Sequence, residues 1–365
     1  MDKNKKIRIG CASGFWGDTS TAAKQLVDKG HVDYLVFDFL AEVTMSILAR
    51  AKLKNPSMGY ATDFVDQLKP LLKDIKDQNI KVITNAGGIN PIACESILQK
   101  EAKQLGLKLN IATIQGDNLI SKLDELQDQN IIEMEKKTPL PNNCLSINAY
   151  LGAQGIVEAL KQGADIIITG RVVDSALVLG PLMYEFNWKH TDYNLLSSGS
   201  LAGHIIECGA QCTGGNYTDW DQVKGFENMG FPFVDVFQNG DFIVSKPSNT
   251  GGMVTFGTIA EQMVYEIGDP SEYILPDVIC DFSEVKIEEI GHNQVLVKNA
   301  KGYPPTNFYK ISATYHDGYK SIGTLVIGGK NAFKKSKLIA NAILQKCSSI
   351  FKENKLSDFK DTSFD

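Results

Sequence analysis

Within the segment AGHIIECGAQC, His204 and Glu207 stand three residues apart. On a helix that spacing puts both side chains on one face, where a carboxylate can orient an imidazole that titrates near neutrality. Such a pair is equipment for general acid/base catalysis. Cys208 and Cys212 continue the stripe four and eight residues after His204, and a soft divalent ion such as zinc is the rival use of it. The glycines of CGAQCTGG argue against a helix that reaches Cys212, and cysteine is commonly a small buried hydrophobe. No metal is therefore assigned, and His204 with Glu207 is read as a catalytic pair.

The remaining candidates sit in turns that follow short apolar runs. These turns are Ser13-Gly14-Phe15-Trp16-Gly17-Asp18, Asp38 with Glu42, Asn85-Ala86-Gly87-Gly88-Ile89-Asn90, Gln115-Gly116-Asp117, and Gly170-Arg171 with Asp174-Ser175. Asp38, Glu42 and Asp174 are read as further catalytic carboxylates. Substrate contacts are assigned to Ser13, Gly14, Trp16, Gly17, Asn85, Gly87, Gly88, Asn90, Arg171 and Ser175. Arginine can grip a carboxylate or phosphate through two parallel hydrogen bonds, and an ion pair with Asp174 is the structural alternative for Arg171. The amides of Gly14 and Gly17 could receive a carbonyl or carboxylate while Phe15 and Trp16 wall in a hydrocarbon part. Asp18 at a helix start and a Trp packed on a sheet edge are the structural alternatives there.

For these turns to share one rim, their strands must run parallel with helices between them, because ligands in such sheets bind beyond the strands' carboxyl ends. The strand candidates are 7–12, 33–39, 81–87, 109–114 and 165–170, β-branched runs without strict alternation, as suits strands buried on both faces. Helix signals separate them. Thr19 or Ser20 is expected to cap a helix that ends at Gly30, Asn90 and Pro91 open one that Gly106 closes, and Gly163 closes another. Pro70 should kink or split the pattern DFVDQLKPLLKDIKDQ. The fold class is α/β: a Rossmann-like parallel sheet with flanking helices over residues 1–190, then a second, α+β region over 191–345, and a polar tail at 346–365.

A length of 365 residues allows a large core, and a net charge of −6 without a basic cluster beyond KNKK argues against nucleic acid as a partner. No apolar run approaches membrane-spanning length and the N-terminus lacks a signal-peptide core, so a cytoplasmic protein with no membrane partner is expected. Seven cysteines without CxxC spacing fit free thiols in a reducing compartment. Assembly into a homo-oligomer is left open.

Gly10-x3-Gly14-x2-Gly17 is not G-x-G-x-x-G, although Asp38 follows at about the ~20-residue distance of a ribose-binding acid. Asn85-Ala86-Gly87 is the turn of short-chain dehydrogenases, yet no Tyr has Lys four positions later. A nucleotide-dependent oxidoreductase is thereby the weaker reading, and the lack of G-x-S-x-G leaves an α/β-hydrolase triad unsupported.

Taken together, IGCASGFWGDT, YLVFDFLAEVTMSILAR, GYATDFV, VITNAGGINP, ITGRVVDSALVLGPL, GHIIECGAQCTGGNYTDW and GGMVTFGTIAEQMVYEIGDPSEYILPDV resemble the acyclic terpene utilisation family AtuA, also known as a domain of unknown function. The resemblance runs from about residue 7 to about residue 330. It implies a role beside the breakdown of citronellol and geraniol through branched acyl-CoA intermediates. It carries no assigned reaction, so no residue role is transferred from it. Family members often continue past the equivalent of residue 340, which implies a further C-terminal part absent here or cut off. The leading expectation is an enzyme acting by acid/base chemistry on a small carboxylated or CoA-linked acyl substrate, of hydratase, lyase or thioester hydrolase type. No other cofactor is assigned. A non-catalytic binding subunit of an acyl-CoA-processing complex is the runner-up.

Overall fold

A computed structural model describes residues 5–364. The first four residues, with the start of KNKK, and the last residue lie outside the described residues. All five expected strands form, as β1 (Lys6–Cys11), β2 (Tyr34–Phe37), β3 (Lys81–Thr84), β4 (Ile111–Ile114) and, after a strand not foreseen, β5 (Cys144–Ala149), the fifth as β6 (Ile166–Thr169). Neighbours β1–β2, β2–β3, β3–β6 and β6–β4 pair in parallel. Every residue of β2 and of β6 is buried, because the strands feed two cores by alternation. Tyr34, Val36, Ile83 and Ile167 enter one core, with the helices Gln154–Lys161, Ala176–Phe186 and Tyr193–Glu207. Leu35, Phe37, Val82, Ile166 and Ile168 enter the other, beneath Ala22–Lys29 and Pro91–Gln104.

Helix punctuation follows the sequence closely. The first helix starts at Ala22 with Thr21 at its cap, slightly later than Thr19 or Ser20, and no side chain caps it. Gly106 and Gly163 stand beyond their helices with φ of +68° and +77°, the left-handed closure that glycine favours. Pro70 splits its pattern into Thr62–Leu68, a single 3-10 turn at Lys69–Leu71 and Leu72–Asp77.

Beyond residue 190 come β7 (Phe233–Phe237), β8 (Phe242–Ser245), β9 (Tyr273–Ile274), β10 (Ile279–Asp281), β11 (Lys286–Gly291), β12 (Gln294–Lys298), β13 (Lys301–Tyr303) and β14 (Ile311–Tyr315). Four of them extend the first sheet: β7 pairs antiparallel with β1, and the order is β11-β12-β8-β7-β1-β2-β3-β6-β4. The sheet is therefore mixed, with a parallel half flanked by helices and an antiparallel half. Its order differs from the doubly wound Rossmann order, in which parallel strands run out on both sides of the first strand. The strands β13, β10 and β9 form a small sheet of their own, and β14 pairs with β5. The described chain divides into two compact units, residues up to His316 and from Asp317 onward. The second unit contains the long helix Ala332–Glu353, none of whose side chains is fully buried.

Candidate functional site

The turns after β2, β3 and β6 meet around three buried polar side chains, Asp38, Asn85 and Arg171. Asp38 Oδ1 accepts from Asn85 Nδ2 at 2.7 Å, and Asn85 Oδ1 accepts the Phe39 amide at 2.7 Å. Arg171, 3% exposed, donates from Nη1 to the Leu40 carbonyl at 2.7 Å. Its backbone is set by Asp117, whose Oδ2 accepts the Arg171 amide at 2.8 Å and Asn148 Nδ2 at 2.7 Å. Asp117 therefore ties the end of β5 to the turn after β6. That link brings Tyr150, which follows β5, under the guanidinium: Arg171 Cζ lies 4.3 Å from the Tyr150 ring centroid, a cation–π contact.

Three acids here are pushed in different directions. Arg171 Nη1 lies 3.4 Å from Asp174 Oδ1. Burial raises the Asp174 carboxyl, Arg171 opposes that, and the negative charges of Glu207, Glu42 and Glu266 add to it, so its pKa is pushed up to about 7. The side chain is 31% exposed, yet Oδ1 itself is buried and lacks a hydrogen-bond partner. Asp38 is also held well above the usual carboxylate range, by burial and then by Asp174 and Glu207. Glu42 goes the other way: partial burial raises it, but the hydrogen bond from Tyr150 and the charges of Arg171 and Lys310 outweigh that and lower it. The Tyr150 hydroxyl donates to Glu42 Oε1, and Lys310 reaches the same carboxylate at 3.5 Å.

The third contributor is the helix Tyr193–Glu207. Gly203 lets it lie against the Arg171–Ser175 turn, since a Cβ there would fall 2.7 Å from Ser175 Cα. His204, next in sequence and 2% exposed, is thereby brought beside the Asp174–Ser175 backbone. Its Nδ1 lies 2.9 Å from Glu207 Oε1. Burial works to lower the His204 pKa, but the Glu207 carboxylate outweighs it and the net direction is upward. Gln262 Nε2 donates to the His204 carbonyl at 3.1 Å, and the Tyr273 ring stands 5.9 Å from the imidazole between centroids. The helix stops at Glu207 and a 3-10 segment, Gly209–Thr213, follows, so Cys212 leaves the His204 stripe. Its thiol donates to the Gly209 carbonyl. Among the described residues no group of three or more His, Cys, Asp or Glu is placed to hold a metal ion.

The glycine-rich turn after β1 packs on the end of that helix. Gly14 permits the approach, because a Cβ would meet the Cys208 backbone at 2.7 Å. The turn is closed largely on itself: the Gly14 amide donates to Asp18 Oδ2 at 2.9 Å, and Ser13 Oγ to the Phe15 carbonyl at 2.9 Å. Trp16 packs against two apolar clusters, whereas Phe15 is 57% exposed. Gly17 faces away from the acids. It lines a surface groove of about 620 Å³ with Asp18, Lys24, Asp63, Asp66 and Asp74, which none of the acids around Arg171 enters. A second cavity, about 370 Å³, lies between Asn194, Asp241 and Lys298, and its lining includes none of the residues around Arg171.

Of the sequence candidates, Asp38, Asn85, Arg171, Asp174, Glu42, Ser175, His204 and Glu207 come together, with Ser13 joined through its carbonyl to the Asp38 amide at 3.0 Å. Gly87 and Gly88 serve packing, against Thr169 and Leu48. Asn90 is the N-cap residue before Pro91, as expected, but its side chain makes no cap bond; its side-chain amide holds the Pro56 and Met58 carbonyls at 3.0 and 2.8 Å. Tyr150, Gln262, Tyr273 and Lys310 are neighbours the sequence reading missed, since each arrives by a long-range contact without a local motif.

The fold and site define a mixed α/β protein with a buried acid–arginine–histidine cluster at the end of its parallel strands. The family model described as acyclic terpene utilisation family protein AtuA matches residues 7–365, past about residue 330, where the resemblance is expected to end, and the chain belongs to that family. No curated protein and no solved structure matches it.

Proposed function

We propose that the protein is an enzyme of acyclic terpene and branched-chain acyl-CoA breakdown, working by acid/base catalysis on a small carboxylated or CoA-linked acyl substrate. The observation that carries this is Asp174, a carboxyl pushed up to about 7 beside buried Arg171. A group poised there can both give and take a proton at neutral pH, and perturbed acids cluster at functional sites. In this reading Asp174 exchanges the proton and His204, oriented by Glu207, is the second acid/base. Arg171 fixes the charge of the reacting group. Hydration, lyase cleavage and thioester hydrolysis can each use that set.

The test is incubation of the full chain with a branched acyl-CoA, its free acid and CoA, with products read by mass spectrometry. Turnover of the acyl-CoA or acid is expected, and Asp174→Asn should lower it by about 100-fold. Turnover unchanged in that variant would remove Asp174 from the chemistry.

A further inference from the structure

Four buried polar atoms of the Arg171–His204 neighbourhood lack a hydrogen-bond partner: Arg171 Nε, Asp174 Oδ1, His204 Nε2 and Gln262 Oε1. Three belong to side chains that are 3%, 2% and 1% exposed, namely Arg171, His204 and Gln262. Buried polar groups are nearly always paired, so four orphans in one neighbourhood point to something that pairs them. They are linked in space. Arg171 and Asp174 are 3.4 Å apart, Gly203 before His204 rests on Ser175 after Asp174, and Gln262 is bonded to the His204 carbonyl.

Their chemistry restricts the partner. Arg171 Nε can only donate. Gln262 Nε2 is spent on the His204 carbonyl, which fixes the amide so that Oε1 can only accept. His204 Nδ1 faces the Glu207 carboxylate and so carries a proton, leaving Nε2 to accept when the ring is neutral and donate when it is charged. Asp174 Oδ1 can likewise play either part. We infer that the cluster binds a small hydroxy acid or hydroxyacyl group, its carbonyl or carboxylate oxygen on Arg171 Nε, its hydroxyl on Gln262 Oε1, and His204 and Asp174 between them. A carboxylate alone leaves Gln262 Oε1 unpaired, and a single hydroxyl, with one proton to give and two lone pairs, cannot pair all four atoms. This inference rests on the acid/base reading above and narrows it to substrates or products that carry a hydroxyl.

Calorimetry on the full chain with 3-hydroxybutyrate, butyrate and 2-butanol tests it. The hydroxy acid is expected to bind about tenfold more tightly than either analogue, as an unmade buried hydrogen bond implies. Gln262→Leu should reduce it to the affinity of butyrate and leave butyrate unchanged. Should that variant not fold, the three-ligand series on the unaltered protein decides alone. Equal affinities, no binding of any of the three, or a crystal structure with ordered water alone on the four atoms after soaking would overturn the inference. Binding rather than turnover is read, so the two readings fail separately. Equal affinities with turnover lost in Asp174→Asn would remove only the ligand class. Hydroxyl-selective binding with turnover intact in that variant would remove only the acid/base roles.

Discussion

Arg8 and Arg171 both lie against an aromatic ring, with Cζ 4.1 Å from the Phe233 centroid and 4.3 Å from that of Tyr150. There the likeness ends. Arg8 makes a two-pronged pair with Asp235, Nε at 2.7 Å and Nη2 at 2.8 Å, and its Nη1 reaches the Gly30 carbonyl at 2.9 Å. Burial raises the Asp235 carboxyl, but Arg8 and Lys6 outweigh it and hold it below the usual range. Arg171 has its acid at 3.4 Å without a hydrogen bond and one nitrogen unpaired, and its acid rises to about 7. A fully used arginine that joins strand β1 to β7 is structural. An arginine left partly unused among crowded acids is free to interact with something else.

Breaking each pair should separate the two roles. Arg8→Met leaves Asp235 buried without its fork and should lower unfolding free energy by about 3 kcal/mol in chemical denaturation. Arg171→Met should cost less, about 1 kcal/mol at pH 6, because Asp174, pushed up to about 7, already carries its proton there and leaves no bare charge behind. Equal losses would mean that Arg171 is as structural as Arg8. In the turn after β1 the contrast is smaller: Trp16→Ala should cost about 2 kcal/mol through its packing on two clusters, and Phe15→Ala less than about 0.5 kcal/mol. Thermal denaturation reads both, and a large loss at Phe15 would show that the exposed ring has a packing partner.

What the sequence revealed was what is local. β-branched runs named the five parallel strands, glycine and proline named the helix ends, and the i, i+3 spacing named His204 with Glu207. β5 and its pairing with β14 escaped because the pairing joins Ala149 to Ile311, and nothing in either short run announces the other. The same physics hid the mixed sheet, since β1 reads alike whether its second neighbour is parallel or antiparallel. Tyr150 and Gln262 escaped because they reach the cluster only through folded contacts. Asn90 took the expected N-cap position, but its side chain was drawn to the Pro56–Met58 loop instead of the helix amides, a tertiary choice that local propensity cannot foresee.

The central claim is that Asp174 keeps a proton near neutral pH. An acid raised from 3.8 to about 7 on folding binds its proton more tightly in the native state, so stability falls as pH rises from about 4 to about 7. The lowered acid Asp235 has the opposite sign, its stabilisation present above about 4 and lost as pH falls through its folded value. The decisive measurement is the unfolding free energy of Asp174→Asn minus that of the unaltered protein, followed from pH 4 to pH 8 with Asp235→Asn as control. The difference should climb toward stabilisation of the Asn variant between pH 4 and pH 7, then level off. A difference that stays flat across that window would contradict a protonated Asp174 and, with it, the acid/base site around Arg171.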